Sequence, residues 1–244
     1  MNKYLFTALF ILLFQGQDAF ARPLVHQRIH EAALLGKTKQ VLNLLPKVDQ
    51  KEVNRVAVTA AGNGHIGTLK AVMKYTNKKT LHPDQMGINL TAKYAAHFGD
   101  LEIVTYLLEH QLKNIPHPDQ EGINNILIQA ASYGDLNLTD YIVHHTVQGV
   151  PHPDQEGMNN AAVQAVVSGY SDVLIYLTNA AVGPRPDPVL IQEVELEVGD
   201  DSCDNGDEVM DEQLPSPIEK DNTTLFRQDV EIMGQGFPAP WKDL

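Results

Sequence analysis

The chain carries one eight-residue segment three times, and this repetition limits what it can fold into. The copies are His82-Pro83-Asp84-Gln85-Met86-Gly87-Ile88-Asn89, residues 117–124 and residues 152–159, each beginning 35 residues after the one before. A shorter fourth copy, residues 49–54, lies 35 residues before its counterpart. A period of this length is typical of solenoids whose unit is two helices and a turn. The sequence therefore predicts a stack of similar helical units.

Each unit continues with the same local signals. A small-residue pair recurs at Ala60-Ala61, Ala95-Ala96, Ala130-Ala131 and Ala165-Val166, and a glycine follows at Gly64, Gly99, Gly134 and Gly169. Small pairs let two helices approach closely, and a glycine in the left-handed conformation closes a helix without a Cβ penalty. Before each pair an asparagine (Asn54, Asn89, Asn124 or Asn159) is predicted to cap the first helix of the unit. Apolar residues at helical spacing then predict a second helix.

Three of these features resemble the ankyrin repeat family. They are the Asp-x-x-Gly loops, the Ala-Ala-x-x-Gly-Asp steps at 95–100 and 130–135, and the run Leu-Glu-Ile-Val-x-Tyr-Leu-Leu-Glu at 101–109. The resemblance covers roughly residues 24–182. Two features depart from the family: the usual Thr-Pro-Leu-His helix start is absent, and the period is longer than the typical length of about 33 residues.

We therefore predict an all-α, ankyrin-like solenoid of about five helix pairs over residues 22–182. The unit boundaries are expected near 22–48, 49–83, 84–118, 119–153 and 154–182. A signal peptide (1–21) is predicted to precede the repeats, and an acidic, largely disordered tail (183–244) to follow them.

The first 21 residues have the parts of a secretory signal peptide: Lys3, an apolar run from Leu5 to Phe14, and a small-residue site that ends at Ala21. We predict cleavage between Ala21 and Arg22. The apolar run has ten residues, whereas a membrane span needs about 20. We therefore predict no membrane span in the mature chain and a periplasmic or secreted location.

The net charge of −13 lies almost entirely in the tail. Residues 183–244 hold 16 acidic and 4 basic residues, whereas residues 1–182 hold 15 and 14. The repeats lack the basic field that binds nucleic acid, and the tail has the composition of a disordered segment. Apolar and acidic residues alternate between Val189 and Val198. This pattern fits an edge strand or a segment packed on the last repeat, but we favour an unpaired segment.

The tail also contains the single cysteine, Cys203, which has no partner for an internal disulfide. Around it, residues 201–212 partly match a calcium-binding loop, with Asp201, Asn205, Gly206 and Glu212 at the required positions. Cys203 stands where an oxygen ligand is needed, and Pro215 and Pro217 oppose an exiting helix. A solvated acidic run is the favoured interpretation.

The repeated loop supports two interpretations. In the first, Pro, Asp and Gly only shape a turn that was copied with the repeat. In the second, identical side chains on successive units bind an extended partner. The candidate partner-binding residues are His82, Asp84, Gln85, His117, Asp119, Gln120, His152, Asp154 and Gln155.

We predict no metal site at the loops. Equivalent residues of stacked units lie about 8–10 Å apart, whereas Zn–N bonds are about 2.0–2.1 Å long. His82, His117 and His152 are therefore too far apart to share one ion.

No catalytic motif or phosphate-binding loop is present in the sequence, and we predict no enzyme activity and no cofactor. The leading hypothesis is an exported protein-interaction module that binds another protein through its loops and first helices. Two alternatives are a secreted bacterial effector acting on host proteins and a metal-binding accessory protein for Ca²⁺ or Zn²⁺.

Overall fold

The computed structural model describes residues 24–75, 81–180 and 183–200, and over these residues the fold is all-α. The helices are α1 (24–34), α2 (Thr38–Leu44), α3 (Gln50–Gly62), α4 (Ile66–Lys74), α5 (Gln85–His97), α6 (Leu101–Glu109), α7 (Gln120–Ser132), α8 (Leu136–His144), α9 (Gln155–Ser168), α10 (Ser171–Asn179) and α11 (Pro188–Asp200). A short 3-10 helix, Leu45–Lys47, follows α2.

The helices form stacked pairs. The first helices of the units, α3, α5, α7 and α9, pack side by side in chain order. Each also packs against the second helix of its own unit, which is α4, α6, α8 or α10. These contacts are those of helix-pair repeats in which each unit is stabilised by its neighbours.

The turns between the paired helices have the predicted geometry. The glycines Gly64, Gly99, Gly134 and Gly169 have φ of +68°, +67°, +68° and +77°. The backbone then folds back onto the helix, as where Asp100 N–H donates to the Ala95 carbonyl at 2.8 Å. The alanines of the small pairs are buried between the helices. The prediction of a left-handed glycine after each pair is confirmed.

The aspartate after the turn begins the second helix in two of the units. Asp100 accepts the Ile103 N–H at 3.0 Å, and Asp135 accepts the Leu138 N–H at 2.9 Å. In the unit before these two, the equivalent residue is His65. Its Nε2 lies 2.9 Å from the Leu34 carbonyl and so joins His65 to the preceding unit.

The core lies between the two layers of helices. The largest fully buried side chains are Ile29, Leu45, Leu69, Met73, Ile88, Ile103, Leu107, Leu108, Ile123, Ile126, Leu127 and Leu138. Full burial of one such side chain contributes about 1.5–3 kcal/mol. These residues lie in the four units between 22 and 153, so the same burial stabilises the stack over that length.

Residues 188–200 are helical and not extended, so the edge-strand and unpaired interpretations of Val189 to Val198 are wrong. Ile191 on α11 is buried in the core, which agrees with the alternative of a segment packed on the last repeat. The apolar and acidic alternation does not produce a strand here. The segment just before α11 is held on α9 by hydrogen bonds from Gln155 to the Arg185 carbonyl and from the Asp187 N–H to Asn159.

Several predicted features lie outside the described residues: the signal peptide, its cleavage site at Ala21 and Arg22, Cys203 with the calcium-loop-like segment, and residues 201–244 of the predicted disordered tail. Of the helices that the structure describes, none is long and apolar enough to cross a membrane.

Candidate partner-binding surface

The loop aspartates begin the first helices. Asp84, Asp119 and Asp154 each accept, through Oδ1, the backbone N–H of the residue three positions later, at 2.9, 3.1 and 2.9 Å. Asp49 does the same for the N–H of Glu52 at 3.0 Å. A cap of this kind contributes about 1 kcal/mol. The prediction that Asn54, Asn89, Asn124 and Asn159 cap these helices is wrong.

Those asparagines lie about one turn inside the first helices, where they join neighbouring units. Asn89 Nδ2 donates to Asp119 Oδ1 at 2.7 Å, and the Asp119 N–H donates to Asn89 Oδ1 at 3.3 Å. The pairs Asn54 with Asp84 and Asn124 with Asp154 have the same two bonds. Asparagine suits this position because its amide both donates and accepts.

The loop glutamines hold both the asparagine and the next loop. Gln85 Nε2 donates to Asn89 Oδ1 and to the His117 carbonyl, each at 3.0 Å. Gln50 and Gln120 make the equivalent bonds, reaching the carbonyls of His82 and His152. Each glutamine therefore fastens the loop of the following unit.

The glycines of the loop motif, Gly87, Gly122 and Gly157, lie inside the first helices and have no positive φ. The interpretation that they permit the return of a turn is wrong. Space explains them instead: a Cβ at Gly122 would lie 2.6 Å from Asn89 Oδ1, and a Cβ at Gly87 would lie 2.5 Å from Asn54 Oδ1. Glycine is required because the asparagine of the preceding unit occupies the place of its side chain.

The incomplete first copy of the motif, residues 49–54, confirms this explanation. Its equivalent of the glycine is Glu52, and the helix before it, α1, contains no asparagine. Glu52 is only 3% exposed and forms ion pairs with Arg55 at 3.1 Å and His26 at 3.7 Å. Burial raises the pKa of Glu52, and Arg55 opposes that shift.

The last copy finds its partners in the segment before α11. The Asp187 N–H donates to Asn159 Oδ1 at 2.9 Å, and Gln155 Nε2 donates to the Arg185 carbonyl at 2.6 Å. Asp187 also accepts the Val189 N–H at 2.9 Å. Arg185-Pro186-Asp187 thus takes the place of His-Pro-Asp, and α11 is the first helix of a further unit. The expectation that the repeats end at residue 182 did not include this helix.

Two loop histidines stack on histidines that follow the second helices. The ring centroids of His110 and His117 lie 4.3 Å apart with an interplanar angle of 14°, and those of His145 and His152 lie 4.4 Å apart at 10°. The loop histidines also reach back to the second helices, since Nδ1 of His117 lies 3.3 Å from the Leu107 carbonyl. These side chains therefore help to hold the loops on the stack.

The hydrogen bonds of His110 select its neutral form. Its Nδ1 accepts the Leu112 N–H at 3.3 Å, and its Nε2 donates to the Pro116 carbonyl at 3.3 Å. Burial, together with the adjacent His117, lowers the pKa of His110. Burial also lowers the pKa of His145, which makes the equivalent bonds to Val147 and Pro151.

The structure thus separates the nine predicted site residues into parts of an inter-unit network. The aspartates are caps, the glutamines bridge loops, and His117 and His152 belong to stacked pairs. These bonds explain eight of the nine residue types without a partner. The exception is His82, whose buried Nδ1 has no hydrogen-bond partner among the described residues. The partner-binding role of the nine residues stays a prediction. Among the described residues no group of three or more His, Cys, Asp or Glu side chains is placed to hold a metal ion.

A different surface, on the first helices themselves, presents several exposed side chains, although two of the members defined below, Val58 and His97, are buried. We call it the first-helix face and define it as the residues two, six, nine and thirteen positions after each capping aspartate. Its members are Lys51, Arg55, Val58 and Gly62 on α3; Met86, Leu90, Lys93 and His97 on α5; Glu121, Asn125, Ile128 and Ser132 on α7; Glu156, Asn160, Val163 and Val167 on α9; and Val189, Glu193 and Leu196 on α11.

This face exposes large apolar side chains. Met86 is 60% exposed, Val167 55% and Leu196 68%, and Ile128 and Val163 are partly exposed beside them. These residues are not among the nine predicted site residues. The signal was present in their spacing of i, i+4 and i+7, which defines one side of a helix.

An aromatic cluster lies at the carboxyl ends of α5 and α7. The His97 ring meets Phe98 and Tyr133 edge to face, with centroids 4.7 and 4.6 Å apart, and His97 Nδ1 bonds Gln129 Oε1 at 3.1 Å. Burial lowers the pKa of His97. Phe98 and Tyr133 remain exposed and add aromatic surface next to the first-helix face.

Stacked helix pairs closed by left-handed glycines place this chain among the helical-repeat solenoids. Residues 92–187 match the family model of ankyrin repeats (3 copies), so this region of the chain is similar to the ankyrin repeat family. No curated protein and no solved structure matches the chain. Ankyrin repeats are typically non-catalytic and mediate protein–protein interaction, which implies a protein partner, and no catalytic family was found.

Proposed function

We propose that this protein is an exported, non-enzymatic interaction module that binds another protein through its loops and first helices. The observation that carries the proposal is the first-helix face, where apolar side chains are exposed on successive units. Large apolar side chains exposed together on one face of a protein are typical of interaction sites.

Burial of these side chains supplies a driving force for binding. Met86, Val167 and Leu196 are each more than half exposed. A partner that covers one such side chain completely gains up to about 1.5–3 kcal/mol from it. The stacked hydrogen bonds between units hold this surface rigid, which lowers the entropy cost of binding.

Export rests on residues 1–21, which have the sequence of a signal peptide. Expression with the natural leader, cell fractionation and amino-terminal sequencing test this part of the proposal. We expect the exported chain to begin at Arg22, and a cytoplasmic chain that retains residues 1–21 would contradict export.

The binding surface is tested by affinity capture with three versions of the full chain. Wild type is compared with a Met86→Asp, Val167→Asp variant and with an Ile175→Asp control, because Ile175 is 60% exposed on α10, outside the first-helix face. Proteins captured by wild type should be lost with the double variant and kept with the control. If the double variant captures them as well as wild type does, the first-helix face is not the binding surface.

The predicted role of the loop histidines is tested separately with His82, His117 and His152 changed to alanine. Thermal unfolding of this variant must be measured first, since two of the histidines stack within the protein. Loss of capture at a temperature where the variant is folded would support direct contact of the loops with the partner.

A further inference from the structure

The charges on the first-helix face are divided along the stack. Its basic residues, Lys51, Arg55 and Lys93, all lie on α3 and α5. Its acidic residues, Glu121, Glu156 and Glu193, lie one each on α7, α9 and α11. The repeats are almost neutral as a whole, so this division arises from the placement of charges and not from composition.

Two of the three basic residues already have contacts within the protein. Arg55 is ion-paired with the buried Glu52 at 3.1 Å, and Lys93 lies 6.0 Å from the centre of the Tyr94 ring. Within the described residues, Glu121, Glu156 and Glu193 have no cation in ion-pair contact, and all three are exposed. The capping aspartates Asp119, Asp154 and Asp187 add negative charge beside them.

The acidic part also carries apolar side chains. Ile128 on α7, Val163 and Val167 on α9, and Val189 and Leu196 on α11 lie on the same face as the three glutamates. α7 and α9 pack side by side, and the segment before α11 is hydrogen-bonded to α9. With about 8–10 Å between neighbouring packed helices, three successive first helices span roughly 20 Å. A helix of about 13 residues has this length, at 1.5 Å per residue.

We infer that the partner presents a basic amphipathic segment to α7, α9 and α11, with its apolar side chains on the valines and Leu196 and its Lys or Arg residues opposite Glu121, Glu156 and Glu193. This inference rests on the proposed function and specifies the chemistry of the partner. Lys51 and Lys93 repel such a segment and confine it to the acidic half of the face.

The test uses two synthetic 18-residue amphipathic helical peptides, one of leucine and lysine and the other of leucine and glutamate in the same order. Fluorescence anisotropy measures their binding to the full chain. We expect the leucine–lysine peptide to bind and the leucine–glutamate peptide not to bind. Binding should weaken strongly at about 1 M salt, where the screening length falls to about 3 Å.

The location is tested with two charge reversals of equal size. The site variant is Glu121→Lys, Glu156→Lys, Glu193→Lys, and the control is Glu102→Lys, Glu109→Lys, Asp172→Lys on the second helices. The site variant should bind the leucine–lysine peptide about tenfold or more weakly than wild type, since several charge pairs reverse together. The control should stay within about twofold of wild type, since its charges lie on α6 and α10, outside the first-helix face. Because the net charge change is equal, the difference between the two variants reports the location of the charges.

Three outcomes would overturn the inference: no binding of the leucine–lysine peptide to wild type, equal binding of both peptides, or equal loss in the two reversals. Equal loss would mean that the peptide is attracted to negative charge in general, including the acidic residues between 193 and 212, most of which are present in every variant. The two proposals can fail separately. Suppose that the Met86→Asp, Val167→Asp variant no longer captures natural partners, while the site variant keeps both capture and peptide binding. The proposed function then stands, and the inference of a basic segment is wrong.

Discussion

The asparagine that joins two units and the glycine that makes room for it should be energetically coupled. Asn89 makes three side-chain hydrogen bonds, to Gln85 and twice to Asp119, at 2.7–3.3 Å. The Asn89→Ala change removes all three and leaves the Asp119 backbone N–H without its acceptor. At about 0.5–1.5 kcal/mol for each bond, less about 0.5 kcal/mol regained from the helix propensity of alanine, we expect a loss of about 1–4 kcal/mol.

The Gly122→Ala change alone should also destabilise the protein. Its Cβ would lie 2.6 Å from Asn89 Oδ1 and 3.0 Å from Asn89 Cγ, and forcing an atom into a packed interface costs about 1–3 kcal/mol. In the Asn89→Ala background both of these contacts disappear, and the nearest remaining atom is Pro118 Cβ at 3.0 Å. The cost of Gly122→Ala should therefore fall by about 1–2 kcal/mol in that background.

Urea unfolding of the wild type, the two single variants and the double variant measures this coupling. Asn160→Ala is the matched control, since Asn160 is an exposed asparagine on α9 and not on the helix of Asn89 or of Gly122. Its coupling to Gly122→Ala should be near zero. Independent sites are additive within about 0.3–0.5 kcal/mol. A coupling between Asn89→Ala and Gly122→Ala inside that limit would refute the explanation of the loop glycine.

Two further predictions follow from the ends and the histidines of the stack. The Asn159→Ala change removes the exposed hydrogen bond from the Asp187 N–H to Asn159 Oδ1, so it should loosen only α11. Hydrogen exchange should become faster over residues 188–196 and stay unchanged in α7. Unfolding of the whole protein at low urea would contradict this prediction. Because burial lowers the pKa of His110 in the folded state, the unfolded chain takes up its proton first, so the free energy of unfolding should fall as pH drops below about 6.5. The His110→Tyr change tests this, since tyrosine is the residue found at the aligned position 75. The urea midpoints of the variant at about pH 7.5 and 5 should differ less than those of wild type. An unchanged difference would exclude His110 as a source of the pH dependence.

The repeat period, the order of the helices within each repeat and the turns between them could be predicted from the sequence alone. These features depend on local chemistry: a glycine with positive φ such as Gly99, a small pair such as Ala95-Ala96, and apolar residues at helical spacing. Residues within one turn of each other make such contacts in any similar backbone, so the pattern alone was sufficient to predict them.

The roles of the loop residues required the tertiary structure. From the sequence, Asn89 is predicted to be a cap, Gly122 part of a turn, and Asp119 either part of that turn or a partner contact. They form one contact that spans two units, because Asn89 and Asp119 lie 30 residues apart in the chain. No local pattern distinguishes an asparagine that caps its own helix from one that bonds the next unit.

The tail shows the same limit. The alternation of apolar and acidic residues after Val189 fits an edge strand or a segment packed on the last repeat, and an unpaired segment was favoured. In the structure, Asn159 and Gln155 bind the backbone before α11, and Asp187 accepts the Val189 N–H. The face that carries the proposed function also became visible only when the first helices were stacked. Helical spacing defines one side of each helix, but only packing decides that this side faces solvent and lines up its apolar and charged residues across successive units.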